Sequence, residues 1–357
     1  MQKYAKAIIY HFSGTGNGVL AAKWIKDVGK ERGIPVEINA IDRFKEIFVP
    51  KEEEKLLIGF VYPTHGFNIP YYMLKFIWKF PLKVNADIFL LSSRAGMKLF
   101  GWHTPGLSGI AKLLPLLILL CKGYKVTGML PLDMPSNWIS IHPGLNKRTV
   151  ESIVKRCKKI TDKFSEKILS GKRYYHYHIF LSLPIDLLLL PIAIAYLMYA
   201  RFFLSKTFMA SVDCNDCRLC EENCPTESIK IIDQRPYWTL NCESCMRCMN
   251  ICPHKAIESS HSFAVIVLYL ASFVPLAVWV QEKISEAGSG FLKILSEPIN
   301  FSVTWIVTIG ILFVFYKIFF YVTKNKYINK IFTYTSLTKY WRRYLAPGIK
   351  VKSFKSE

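Results

Sequence analysis

"IIYHFSGTGNGVLAA", residues Ile8 to Ala22, is the stretch from which the fold of the first part of the chain can be read. An apolar run through Tyr10 breaks into Ser13-Gly14-Thr15-Gly16-Asn17-Gly18, and helix-forming sequence resumes at Val19. A strand that enters a glycine-rich turn and leaves as a helix presents unpaired N–H groups, and the helix dipole there favours an anion. A phosphate is therefore expected in the loop. No Lys-Ser or Lys-Thr follows the glycines, which argues against a P-loop, and Gly14-x-Gly16-x-Gly18 lacks the spacing of a dinucleotide fingerprint. A phosphate monoester held by main-chain amides, Ser13 and Thr15 fits, with no cationic side chain nearby, and flavin mononucleotide (FMN) is such a ligand. An ordinary βα turn draws on the same residue types.

Working outward, candidate strands fall at 5–12, 35–41, 55–62, 86–92 and 125–132. Helical stretches separate them near 17–32, 70–80, 106–122 and 146–170. Alternating β and α elements predict a doubly wound parallel sheet. Ligands of such sheets lie beyond the carboxyl ends of the strands, so "YPTHGFN" (Tyr62 to Asn68) and "SSRAG" (Ser92 to Gly96) should converge on the phosphate loop. The expected flavin-binding residues are Ser13, Gly14, Thr15, Gly16, Asn17, Gly18, Thr64, Gly66, Phe67, Asn68, Ser92, Ser93 and Gly96. Phe67 is the candidate to stack on the ring; Arg94 reads as a solvated charge.

The chain has 357 residues, a formal net charge of +21 and ten cysteines. Its basic residues are spread along the chain and concentrate beside apolar runs, which suits the anionic cytoplasmic face of a membrane better than nucleic acid. The sequence enters its first strand without an export signal, so this end is expected to stay in the cytosol, where disulfides are not expected. Eight cysteines form two matching runs, "CNDCRLCEENCP" (Cys214, Cys217, Cys220, Cys224) and "CESCMRCMNICP" (Cys242, Cys245, Cys248, Cys252). Each is C-x2-C-x2-C-x3-C-P, the spacing of two 4Fe-4S clusters in which the fourth cysteine of each run serves the other cluster. Cys214, Cys217, Cys220 and Cys252 should hold one cluster, and Cys242, Cys245, Cys248 and Cys224 the other. A zinc ribbon has no use for the third cysteine and trailing proline. Cys121 and Cys157 read as small buried apolar residues.

On "YHFSGTGN", "MPSNW" (Met134 to Trp138) and the double cysteine run, the chain resembles fusions of a flavodoxin-like domain to a bacterial two-cluster ferredoxin, sometimes called ferrodoxins. The resemblance covers residues 5–170 and 210–258. It implies an α/β flavodoxin-like doubly wound parallel sheet binding FMN, followed by a small α+β ferredoxin domain. Gly18 stands where flavodoxin loops usually carry Thr or Ser.

Three apolar segments remain, 179–203, 263–280 and 301–322, with helical lengths of about 37, 27 and 33 Å against a hydrocarbon core of roughly 30 Å. The last two read as a transmembrane hairpin. The first carries Asp186 between Pro184 and Pro191 and has basic residues on both flanks, so it reads as a re-entrant or membrane-surface connector. Loop 281–300 is poor in Lys and Arg, whereas the tail from Lys324 holds nine Lys or Arg and one Glu, placing the tail inside. Its "KYWRRYL" (Lys339 to Leu345) reads as a patch lying on anionic lipid. The expected organisation is 1–172 flavodoxin-like, 173–209 connector, 210–260 ferredoxin-like, 261–323 hairpin and 324–357 basic cytosolic tail. The expected function is electron transfer between FMN and two 4Fe-4S clusters at the cytosolic side of the inner membrane. Membrane lipid and unidentified redox donor and acceptor proteins are the expected partners, and nucleic acid is not. Two alternatives remain: a flavin-dependent reductase of a small molecule or quinone wired through the clusters, and a cluster-bearing redox sensor or scaffold without flavin.

Overall fold

The computed structural model describes residues 3–47, 55–82, 84–271 and 290–355, without the side chains of residues 99, 270, 271 and 290–304. Five long parallel strands form its first half: β1 (Lys6–His11), β2 (Val36–Ala40), β3 (Leu56–Pro63), β4 (Ala86–Leu99) and, after a short β5 (Trp102–Thr104), β6 (Lys125–Pro135). They lie in the order β2-β1-β3-β4-β6, with Tyr174–Tyr175 pairing on the outer side of β6. Leaving out β5, this is the 2-1-3-4-5 order of the flavodoxin-like fold, with its switch point between β1 and β3. All five expected strands are present. β4 runs seven residues beyond its expected end because it turns at Phe100 and Gly101, both at positive φ, into an antiparallel hairpin with β5.

The central strands are apolar on both faces, as a sheet covered by helices on both sides requires. On one side α1 (Asn17–Glu31) and α4 (Lys147–Leu169) pack Ile25, Val28, Ile153 and Phe164 against it. On the other, α2 (Tyr71–Lys79) and α3 (Leu113–Cys121) contribute Met73, Phe76, Ile77 and Leu119. The helix expected over 106–122 divides into a 3-10 turn at Gly109–Ala111 and α3. Cys157 is buried as expected, whereas Cys121, on the last turn of α3, is exposed.

The cysteine-rich part is built on two short antiparallel pairs, Phe208–Ala210 with Ile257–Ser259 and Ile229–Ile232 with Arg235–Trp238. Within each run a short helix, Leu219–Glu222 or Arg247–Ile251, starts two residues after the second cysteine.

Between the two parts, residues 178–206 form a string of short helices and a π turn, none longer than six residues, with Pro184 and Pro191 at helix starts. Proline is tolerated there because those N–H groups have no intrahelical partner. Asp186 is fully buried and pairs with Lys112 at 2.5 Å. Phe180, Leu181, Leu187, Leu188 and Ile192 face outward.

Helices His261–Ala271 and Gly290–Val322 follow, with Phe263 stacked on Phe319 at 3.9 Å. Among the described residues one stretch, Trp305–Val322, is long and apolar enough to cross a membrane, with mean hydropathy 2.1 and 22% of it buried. The remainder of the expected first hairpin helix, 272–280, and the loop to 289 lie outside the described residues.

The tail from Lys324 packs in part on the rest of the chain. Its residues 342–354 return to the sheet domain, and Tyr344, Ala346, Ile349 and Phe354 are buried. Arg342 donates to the Gly144 carbonyl at 3.0 Å, and Arg343 pairs with Glu258 at 3.1 Å. Within "KYWRRYL", Arg342, Arg343 and Tyr344 have partners in the chain, whereas the Tyr340 ring is exposed.

Candidate functional site

At the carboxyl ends of β1, β3, β4 and β6 the loops enclose a cavity of about 310 Å³. Its floor is the turn after β1. There the Ser13 hydroxyl accepts from the amides of Gly16 at 3.1 Å and Gly18 at 3.2 Å, and Gly16, at φ +91°, begins α1 without a side-chain cap. The loop shape is thus set by one hydroxyl and one left-handed glycine, and the helix N-terminus keeps N–H groups for a ligand. Ser13, Gly14, Thr15 and Asn17 line the cavity; from the later loops come Thr64, Gly66, Phe67 and Ser93.

The other five expected residues do not line it. Gly16 and Gly18 shape the turn, and a Cβ on Gly16 would lie 2.8 Å from Ile349 of the tail. Asn68 closes the bridge to His65 and accepts from the Ile69 amide at 2.8 Å. Ser92 sits within the sheet, paired with Tyr62 and Pro131, and Gly96 lies against β6, where a Cβ would be 2.4 Å from the Asp133 carbonyl. All five support the cavity from behind.

Arg94 is not a solvated charge. It is buried, lines the cavity and holds Asp133 at 2.6 Å, while Asp133 also accepts from the Gly106 amide at 2.8 Å. A cation does approach the first loop: Arg247, from the second cysteine run, donates to the Ser13 carbonyl at 2.6 Å and pairs with Asp42. Sequence reading did not assign to the site Asn137, which donates to the Thr15 hydroxyl, or Trp138, although both belong to the "MPSNW" stretch after β6. It also missed Tyr196, whose ring covers Gly66 so closely that a Cβ there would lie 2.1 Å from it. Nothing local distinguishes Tyr196 from the other aromatics of its apolar segment.

Three buried polar atoms on the cavity wall have no partner among the described residues: Thr64 Oγ1, His65 Nδ1 and Ser244 Oγ. Burial lowers the pKa of His65 to about 4, so its ring is neutral near pH 7. Neutral donors and acceptors suit an uncharged heteroaromatic edge, and amides at a helix start suit a phosphate, so the residues present fit FMN.

The wall opposite the sheet comes from the cysteine-rich part. Ser244, Cys245 and Met246 line the cavity, and a Cβ on Gly14 would lie 1.7 Å from the Cys245 carbonyl oxygen. Arg43 fastens the same seam, donating to the carbonyls of Glu221 at 2.7 Å, Glu222 at 2.8 Å and Cys224 at 3.2 Å.

The two cysteine runs repeat in backbone as well as in spacing. Asp216, Arg218 and Glu227 of the first, and Ser244, Met246 and Lys255 of the second, occupy matching positions, all with φ between +48° and +62°. Such left-handed residues turn successive N–H groups inward. Ser228 and Ala256, also matched, donate their amides to the sulfurs of Cys224 at 3.3 Å and Cys252 at 3.4 Å. Cys214, Cys217, Cys220 and Cys252 line one small cavity. Burial, and then the neighbouring thiols Cys214, Cys252 and Cys217, raise the pKa of Cys220 to about 12. Burial and the nearby Cys224 and Cys245 raise that of Cys242. Among the described residues no three His, Cys, Asp or Glu side chains converge on a single metal ion. Thiolates around a four-iron cube stand farther apart than ligands on one ion.

No family model matches the chain, and no curated protein matches it. Among solved structures it is similar to a flavodoxin from the domain Archaea, with 18% identity over 46% of this chain and 98% of that one, at a TM-score of 0.29. It is also similar to an azoreductase from Bacillus anthracis str. Sterne, with 12% identity over 45% of this chain and 99% of that one, again at 0.29. At these values neither likeness bears on the chemistry of the site.

Proposed function

We propose that the chain is a membrane-associated electron-transfer protein that joins a bound FMN to two 4Fe-4S clusters. The observation that carries this reading is the shared wall: Cys245 and Met246 border the cavity formed by the sheet loops. A flavin exchanges electrons in ones or twos and a cluster singly, so together they join two-electron to one-electron chemistry. The chain's own residues bind and orient. Amides at the start of α1 and the Thr15 hydroxyl would hold the phosphate, while Thr64, His65 and Ser244 would meet the polar edge of the ring. Cys214, Cys217, Cys220 and Cys252 would ligate one cluster, and Cys242, Cys245, Cys248 and Cys224 the other. The amides on Cys224 and Cys252 favour the thiolate form and would tune potential. Joining the modules in one chain replaces an encounter between proteins with a fixed contact.

The membrane placement rests on the Trp305–Val322 stretch and on the exposed apolar side chains of 178–206. The sheet domain and the cysteine-rich part touch through Arg43, Arg247 and Gly14, so both belong on one side of a bilayer. We place both on the cytosolic side, with the tail that packs on them. Anaerobic purification of the full chain with flavin and iron counts tests the proposal. One FMN and two four-iron clusters per chain are expected. Iron without flavin would turn the reading toward a cluster-bearing sensor, and flavin without iron would remove the electron-transfer role.

A further inference from the structure

A second cavity, about 480 Å³ and lined almost wholly by apolar side chains, lies between the connector and the C-terminal helices. Gly66, Phe67, Trp138 and Tyr196 line both this cavity and the one at the strand ends, so the two spaces are separated by single side chains. Its far walls include Ile309, Leu312 and Phe315, from the Trp305–Val322 stretch. Ile192 and Leu268, on its rim, are 52% and 57% exposed, so the cavity reaches the apolar surface that a bilayer would cover. The connector is fixed there by the buried Lys112–Asp186 pair and by Trp305, which donates to the Met198 carbonyl at 2.8 Å.

From this juxtaposition we infer that the apolar cavity admits a lipid-soluble quinone from the membrane and places its ring beside the flavin pocket. The inference rests on the flavin reading above and supplies the substrate class. The lining chemistry favours a quinone over a lipid acyl chain. Six aromatic residues, Phe67, Trp138, Tyr196, Tyr199, Phe203 and Phe315, offer flat faces for a planar ring. An acyl chain gains nothing specific from aromatic faces and has no reason to end against a polar redox pocket. The tyrosine hydroxyls and the Trp138 N–H are the kinds of donor a quinone carbonyl accepts. The conversion balances against the reduced flavin of the neighbouring pocket. Two electrons and two protons pass, the quinone becomes a hydroquinone and the flavin is oxidised.

The test uses the full chain in phospholipid nanodiscs, with and without its flavin, and a photoreactive azido-ubiquinone analogue. Labelled peptides are mapped, and flavin and iron contents are measured on the same samples. Labelling is expected on peptides holding Phe67, Tyr199, Phe203 or Phe315, with or without flavin, and unlabelled ubiquinone should compete at least about tenfold better than additional phospholipid. Ala200→Trp and Ile309→Trp fill the cavity from opposite walls and should each reduce labelling about tenfold while flavin and iron contents stay unchanged. Labelling elsewhere, equal competition by phospholipid, or full labelling in both filled variants would overturn the inference. If either variant fails to fold, the wild-type map and competition decide. Absence of flavin from the purified chain would count against the flavin reading instead, since labelling does not require it.

Discussion

His65 shows how one buried side chain ties the site to stability. Burial lowers its pKa to about 4 in the folded chain, whereas an unfolded histidine titrates near 6.5. Between these values the unfolded chain takes up a proton that the folded chain refuses. Its contribution to stability is therefore complete above pH 6.5 and falls by about 1.4 kcal/mol per pH unit as the pH drops toward 4. His11, lowered to about 3 by burial and then by Arg247, acts in the same direction. His65→Gln should lose less stability than the parent when flavin-free protein is moved from about pH 7 to about pH 5. Urea titrations at the two pH values measure this, and equal losses in both proteins would show that His65 is not the titrating group. The glycine-rich loop and both cysteine runs were legible at this scale because their chemistry lies in residue type and spacing. Arg94 was not, because its burial depends on Asp133, 39 residues away.

Among the elements, the turn from β1 into α1 bears most on the site. Gly16 combines a left-handed backbone with a close neighbour in the tail, so Gly16→Leu meets two penalties. The left-handed conformation costs a residue with a Cβ about 1–2 kcal/mol, and the new side chain must displace Ile349. The expected outcome is loss of flavin retention and release of the tail, seen as faster tryptic cleavage at Arg342 and Arg343, with iron content retained. Unchanged flavin content in this variant would take the loop out of the binding site. The central strands of the sheet domain were legible as near-continuous apolar runs, as burial on both faces requires, and its helices as amphipathic stretches between them. The connector was readable only as apolar, proline-broken and carrying one acid. That Asp186 turns inward to Lys112 follows from where α3 leaves the preceding turn.

For the whole molecule, the decisive feature is the seam between the sheet domain and the cysteine-rich part. Arg247 crosses it to reach Ser13 and Asp42, and Arg43 crosses it in the other direction. The grouping of Cys252 with Cys214, Cys217 and Cys220 predicts crossed effects across the two runs. Cys252→Ala should abolish the electron paramagnetic resonance signal of the cluster held by the first run and leave the other with at least about half its intensity. Loss confined to the cluster of its own run would overturn the crossed assignment. On the proposed flavin reading, flavin content should remain near one per chain, because Cys252 does not line the cavity at the strand ends.

The sequence by itself determined the parallel α/β sheet, the loop suited to a phosphate, the doubled cysteine spacing and the apolar stretches. Each is a local property: a period, a glycine pattern, a count between ligands. Only the tertiary structure decided that Cys245 and Met246 wall the cavity at the strand ends, that the tail packs against the turn after β1 and that Tyr196 covers Gly66. These contacts join residues from 130 to more than 300 positions apart, and no periodicity links them. Shape and charge complementarity between folded surfaces select them, and those surfaces exist only after the chain has packed.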